Sequence, residues 1–169
     1  MIRIENLHSR SQAETRTPTD TLLLPFDGRG KSRQLVELAS GAAAQLLLPH
    51  GTHLKEGDLL AGSNGELIVV RAAAQRVLIV SADSEIQLTR IAYHLGNRHT
   101  PVQIEERALV LEEDSVLEEM IVRLGGQVEK TDRPFEPEPG AYGGGHRHGT
   151  DDDSEREIAQ RVFHLHDHE

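Results

Sequence analysis

Residues 75–129 read QRVLIVSADSEIQLTRIAYHLGNRHTPVQIEERALVLEEDSVLEEMIVRLGGQVE, and this stretch decides the fold class. It opens on an apolar, β-branched run at residues 76–80. Asp83 or Ser84 then stands where a helix cap belongs. Leu88, Ile91, Ala92 and Leu95 follow at the i, i+3, i+4, i+7 spacing of one helical face. Gly96 reads as the left-handed stop. Residues 101–105 and 108–111 form two short strand patterns around Glu106-Arg107. Ser115-Val116-Leu117-Glu118 has the pattern of a capping box, with Val116, Leu117, Met120, Ile121 and Leu124 as the apolar face behind it. Gly125-Gly126 ends that helix, and residues 127–129 fit a last strand. Strand, helix, two strands, helix, strand is the ferredoxin-like βαββαβ order. That plan hosts many functions, so it decides none.

Residues 1–74 have a different texture. Short apolar runs at 21–24, 35–38, 45–48, 59–60 and 66–70 are divided by turn residues. Asn64-Gly65 between two of them is a strong hairpin signal. From Arg133 the chain becomes loop-like, with Pro134, Pro137 and Pro139 followed by Gly143-Gly144-Gly145. The expected architecture is α+β in three parts. A small all-β domain spans residues 1–74, a ferredoxin-like domain 75–145, and a flexible His- and Asp-rich tail 146–169.

The tail holds five of the ten histidines: His146, His148, His164, His166 and His168. Asp151, Asp152, Asp153, Asp167 and Glu169 lie among or beside them. Few apolar residues are available to offset the entropy of ordering such a segment. His-rich tracts of this kind bind metals, and imidazole suits nickel, copper and zinc. Residues i and i+2 of an extended chain point the same way, so paired histidines can share an ion. Binding requires neutral imidazole and should weaken below about pH 6.

Composition removes other classes. The 169 residues include no Cys, which excludes disulfides, thiolate zinc sites and thiol catalysis. The formal charge of −10 makes nucleic acid and anionic membrane poor partners. No apolar run approaches the ~18 residues of a spanning helix, and MIRIENLHSR has no apolar signal core. A cytoplasmic protein is expected. No zinc-protease helix, nucleophile elbow or phosphate loop is present in the sequence. A metal-dependent hydrolase would need a compact ligand triad beside a general base, and none can be found.

Other histidines and acids leave alternatives. His99 lies in the loop after the first helix, where it reads equally as a presented functional group or a surface residue. His94 lies off the apolar stripe and reads as a partner-bonded surface histidine. His50 and His53, in LLLPHGTHLKEGDLL, have a spacing that permits a metal pair but reads better as a turn between strands. Glu112-Glu113-Asp114 suits the start of the second helix through its dipole, or could supply oxygen ligands.

YHLGNRHTPVQI (residues 93–104), DSVLEEMIVRLGGQVEKTDRPFEPEPGAYGGGHRH (114–148) and LPHGTHLKEGDLL (48–60) together resemble the UreE family of urease accessory proteins, the nickel metallochaperones. The resemblance implies a protein that catalyses nothing. It binds Ni(II) and delivers it to the urease apoprotein complex with an accessory GTPase. It also implies an N-terminal partner-binding domain and a homodimer, with His99 as a nickel ligand at the dimer interface. The His-rich tail from His146 onward would bind further metal, and His166 and His168 are candidates to complete the interfacial site. Some relatives carry an H-D-H triplet before the second helix. Glu113, Asp114 and Ser115 stand there in this chain, so that auxiliary site is not expected. Zn(II) or Cu(II) can occupy the same ligands, and Cu(II) outcompetes nickel in the Irving–Williams order. The alternative function is therefore general divalent-metal buffering or storage.

Overall fold

The computed structural model describes residues 1–8 and 17–139. The tail histidines His146, His148, His164, His166 and His168 lie outside the described residues, as does the glycine run before them.

Six strands build the first sheet: β1 (Ile2–His8), β2 (Asp20–Leu24), β3 (Arg33–Glu37), β4 (Ala43–Leu47), β5 (Leu59–Gly62) and β6 (Leu67–Ala72). Their order is β2-β6-β5-β1-β4-β3. β1 runs parallel to β4 and antiparallel to β5, while β2 runs parallel to β6. The two edges approach each other where the Ala39 N–H donates to the Thr21 carbonyl at 2.8 Å. Alternation along these strands sends Ile4, Leu22, Ala44, Leu46, Leu60, Ile68 and Val70 into one core, with Leu38, Leu48 and Leu54 from the connections. The Asn64-Gly65 turn joins β5 to β6 as expected, with Gly65 at φ +85°.

β1 was not legible in the sequence. Its register shifts between Ile4 and Asn6, an irregularity that breaks the period-two pattern. A four-residue helix, α1 (Phe26–Arg29), stands after β2, where the sequence offers only the break residues Pro25 and Gly28-Arg29-Gly30.

The second sheet contains β7 (Ala74–Ser81), β8 (Gln103–Glu105), β9 (Ala108–Glu112) and β10 (Gln127–Pro134), in the order β10-β7-β9-β8 with every pair antiparallel. Helix α2 (Glu85–Gly96) joins β7 to β8, and α3 (Ser115–Arg123) joins β9 to β10. Ile91 and Leu95 of α2 and Ile121 of α3 are fully buried against Leu78, Val80, Leu109 and Leu111. Leu88, Ala92, Leu117, Met120 and Leu124 pack around them. The other face of the sheet is covered too, because Val77 and Val110 pack on Phe135, with Phe26 and Ile79 beside them. Burial on both faces is why residues 77–80 read as an unbroken apolar run.

Three local expectations are corrected. The cap of α3 is Asp114, not Ser115: the Asp114 Oδ1 accepts from the Val116 and Leu117 N–H groups at 2.8 and 2.9 Å. Val116, in the first turn of α3, does not join the apolar face and is 71% exposed. The last strand continues through Pro134 rather than ending near Glu129, pairing with β7 along its whole length. Val128 is its single apolar side chain with a core contact, so its polar sequence concealed it. Among the described residues, no helix is long and apolar enough to cross a membrane.

Candidate functional site

The loop GNRHTP begins inside α2. Gly96 is helical, with Asn97 next at φ −62°. The His99 N–H donates to the Gly96 carbonyl at 2.9 Å, and the Thr100 N–H reaches back to the Leu95 carbonyl at 3.3 Å. These paired bonds are the Schellman ending of a helix, in which the next-to-last residue must be left-handed. That residue is His99, at φ +55°. The stop expected at Gly96 is therefore made three residues later, by a histidine. Among the described residues, His99 is the single non-glycine with a positive φ.

Left-handed backbone costs an L-residue roughly 1–2 kcal/mol relative to glycine's freedom, although histidine tolerates it better than bulky or β-branched residues. Such strain gathers where a side chain is needed for something other than folding. The side chain of His99 is exposed. Pro101 follows one residue later and fixes its own φ, so the loop is short and stiff on both sides of the imidazole.

The other candidates have structural employment. His94, half-buried in the last turn of α2, sets its ring edge-on to Tyr93 at 5.5 Å. Glu112 accepts from the Gln75 amide at 2.7 Å. Glu113 pairs with Arg76 and Lys130, each at 3.3 Å. The Lys130 and Arg76 hydrogen bonds hold its carboxyl below the usual range. Asp114 is the helix cap. Structural contacts thus account for all three side chains, and only Asp114 serves the helix start directly. His53 packs its ring on Phe26 at 4.9 Å. Burial, then the nearby Arg29 cation, depresses its pKa. His50 is exposed in the preceding turn.

Sequence reasoning missed one group entirely. Arg29 is fully buried, and its guanidinium bonds the Leu54 carbonyl at 3.4 Å, the Phe135 carbonyl and the Glu136 carboxylate. Its Nε is a buried nitrogen without a hydrogen-bond partner. Only Arg29 sitting in a Gly-Arg-Gly turn was visible beforehand, and such a residue is normally solvated.

No group of three or more His, Asp or Glu side chains among the described residues is arranged to hold a metal ion. Fold and site together define a two-sheet α+β protein that displays one imidazole per chain from a stiff helix–strand corner. Residues 2–73 match the family described as UreE urease accessory protein, N-terminal domain, and residues 75–169 match its C-terminal domain. The urease accessory protein UreE of Burkholderia thailandensis is 49% identical over 148 residues, covering 86% of this chain and 70% of that protein. Its counterpart from Ralstonia nicotianae is 52% identical over 138 residues, or 82% of this chain and 65% of that one. The Burkholderia vietnamiensis protein is 50% identical over 145 residues, covering 85% and 72%. The chain belongs to the UreE family of urease accessory proteins.

Proposed function

We propose that this chain is a nickel metallochaperone for urease maturation, binding Ni(II) and delivering it to apo-urease without catalysing a reaction. Membership of the family along nearly the whole chain supports the role. The observation that carries the site is the left-handed backbone of His99. A histidine held where glycine folds more easily is a side chain kept for its imidazole.

One imidazole is too few for a tight nickel site, and a two-fold homodimer supplies each residue twice. His99 near that axis gives two ligands to one ion and leaves coordination positions open for exchange. The tail histidines His146, His148, His164, His166 and His168 add capacity and further ligands. Zn(II) and Cu(II) compete for the same groups. The proposed division of labour is a partner-binding β domain at residues 1–74 and a ferredoxin-like metal and dimer domain at 75–145, followed by the ligand tail at 146–169. Strand order β10-β7-β9-β8, each helix bridging two strands, supports the ferredoxin-like plan. The urease apoprotein complex and the accessory GTPase are the proposed partners, and the cytoplasm the proposed location.

Urease activity in cells lacking this chain separates delivery from buffering. Activity should be lost at limiting nickel and restored by excess nickel or by the intact gene, while His99→Ala should not restore it at limiting nickel. Full urease activity at limiting nickel without the chain would refute the delivery role.

A further inference from the structure

Just beyond β10 the chain passes Phe135-Glu136-Pro137-Glu138. The two prolines at 134 and 137 lack N–H groups, so the hydrogen-bonding capacity of this strap is small and can be traced. The Glu136 N–H donates to the Gln103 Oε1 at 2.9 Å, and the Glu138 N–H to the Val102 carbonyl at 2.9 Å. Both partners lie at the entry to β8. Only Thr100 and Pro101 separate them from His99. The helix-end bonds thus hold the entrance to the His99 loop, and the strap holds its exit.

The strap's other side is gripped by α1, which links β2 to β3 of the first sheet. Arg29 donates to the Phe135 carbonyl and pairs with the Glu136 carboxylate. The Phe135 ring stands edge-on to Phe26 at 5.4 Å, and Phe26 in turn touches His53. The pair is unequal: the Arg29 side chain is 0% exposed, that of Glu136 40%. Glu136 can release into water, whereas Arg29 cannot follow it. Release leaves a buried cation without its counter-ion, so the closed arrangement is favoured. Paired apolar residues could close such a contact about as firmly, whereas the half-exposed Glu136 carboxylate can be drawn off by a competing cation.

We propose that the Phe135–Glu138 strap couples the β1–β6 sheet to the His99 loop, with Arg29 and Glu136 as positioning residues for the nickel ligand. It rests on the reading of His99 as that ligand. A change at the exposed end of the pair, such as a partner's cation drawing on the Glu136 carboxylate, slackens the strap at Val102 and Gln103. The His99 imidazole then loses its fixed direction, and the ion is released more readily.

The test uses the full chain with Glu136→Ala and the near-isosteric Glu136→Gln, alongside His99→Ala. In metal-free protein, backbone amide NMR signals of residues 98–100, 102 and 103 should shift in Glu136→Ala and less in Glu136→Gln. Circular dichroism should show both variants folded. Titration with Ni(II) should show the strongest site weakened about three- to thirtyfold in Glu136→Ala, with partial recovery in Glu136→Gln and the weaker sites unchanged. Unmoved amide signals at these residues in a folded Glu136→Gln and Glu136→Ala pair would overturn the coupling, whatever the metal data. Should His99→Ala keep the strongest site, the ligand reading fails separately, and the positioning role falls with it even if the amides move.

Discussion

The two helices of the second sheet end on the same hydrogen-bond pattern with different residues. At the end of α3, the Gly125 N–H donates to Val122 and the Gly126 N–H to Ile121, both at 2.9 Å. The left-handed position is Gly125, at φ +83°. At the end of α2 the corresponding donors are His99 and Thr100, and the left-handed position is His99. One corner is made with the residue that folds most easily, the other with an imidazole. Both corners satisfy the carbonyls of a helix end, so hydrogen bonding does not explain the difference. The second corner carries a side chain that the first does not need.

Exchanging the residues breaks the comparison most forcefully at the glycine end. A Cβ on Gly125 would lie 2.2 Å from the Gln87 Nε2, whose amide donates to the Leu124 carbonyl at 3.1 Å. Gly125→His should therefore both strain the backbone and displace Gln87, lowering stability by about 1–2 kcal/mol in urea unfolding. A neutral result would mean that the left-handed position carries little strain, and the argument from His99 would weaken with it.

The helix starts sharpen the same comparison. Ser84 caps α2, accepting from the Gln87 N–H at 3.3 Å, and Asp114 caps α3 with two shorter bonds. Asp114→Ala should cost about 1 kcal/mol. Ser115→Ala should cost much less, since Ser115 is already inside the helix. Equal losses from the two changes would restore the capping box that the structure displaces.

A smaller effect belongs to His53. Its folded-state pKa is depressed below the ordinary imidazole value of about 6.5, so the unfolded chain binds the proton first. The stabilisation from keeping His53 neutral is present above that value and is lost as pH falls towards the folded-state pKa. The parent protein should lose stability on acidification below about pH 6.5 more steeply than His53→Gln does. Thermal melts of the two proteins between neutral and mildly acidic pH would show it, and parallel pH profiles would speak against a ring kept neutral beside Phe26 and Arg29.

Much of the framework could be read in advance because local signals agreed. Turn residues separated β2 through β6, and the Leu88-Ile91-Ala92-Leu95 stripe marked the buried face of α2. β1 was concealed by its register shift, and the second half of β10 by a polar sequence whose Lys130 and Arg133 find Glu118 and Glu105 across the fold. The position of His99 in the chain was visible, but its backbone was not, because Gly96 offered a more ordinary helix stop. The grip of Arg29 on Phe135 joins residues 106 apart in the chain. No periodicity encodes a contact of that kind. The misses at β1, β10 and Arg29 lie in pairings between residues far apart in the chain, whereas the one at His99 lies in the choice between two local helix stops.

The most direct test is His99→Gly in the full chain, followed by urea unfolding and Ni(II) calorimetry on the same sample. Glycine relieves the left-handed backbone at some entropic cost in the unfolded chain, so stability should be unchanged or rise by up to about 1 kcal/mol. The strongest nickel site, one ion per two chains, should vanish while weaker binding persists. A His99→Gly protein that unfolds more easily and still binds nickel as the parent does would contradict the account, because the histidine would then serve the fold and not the metal.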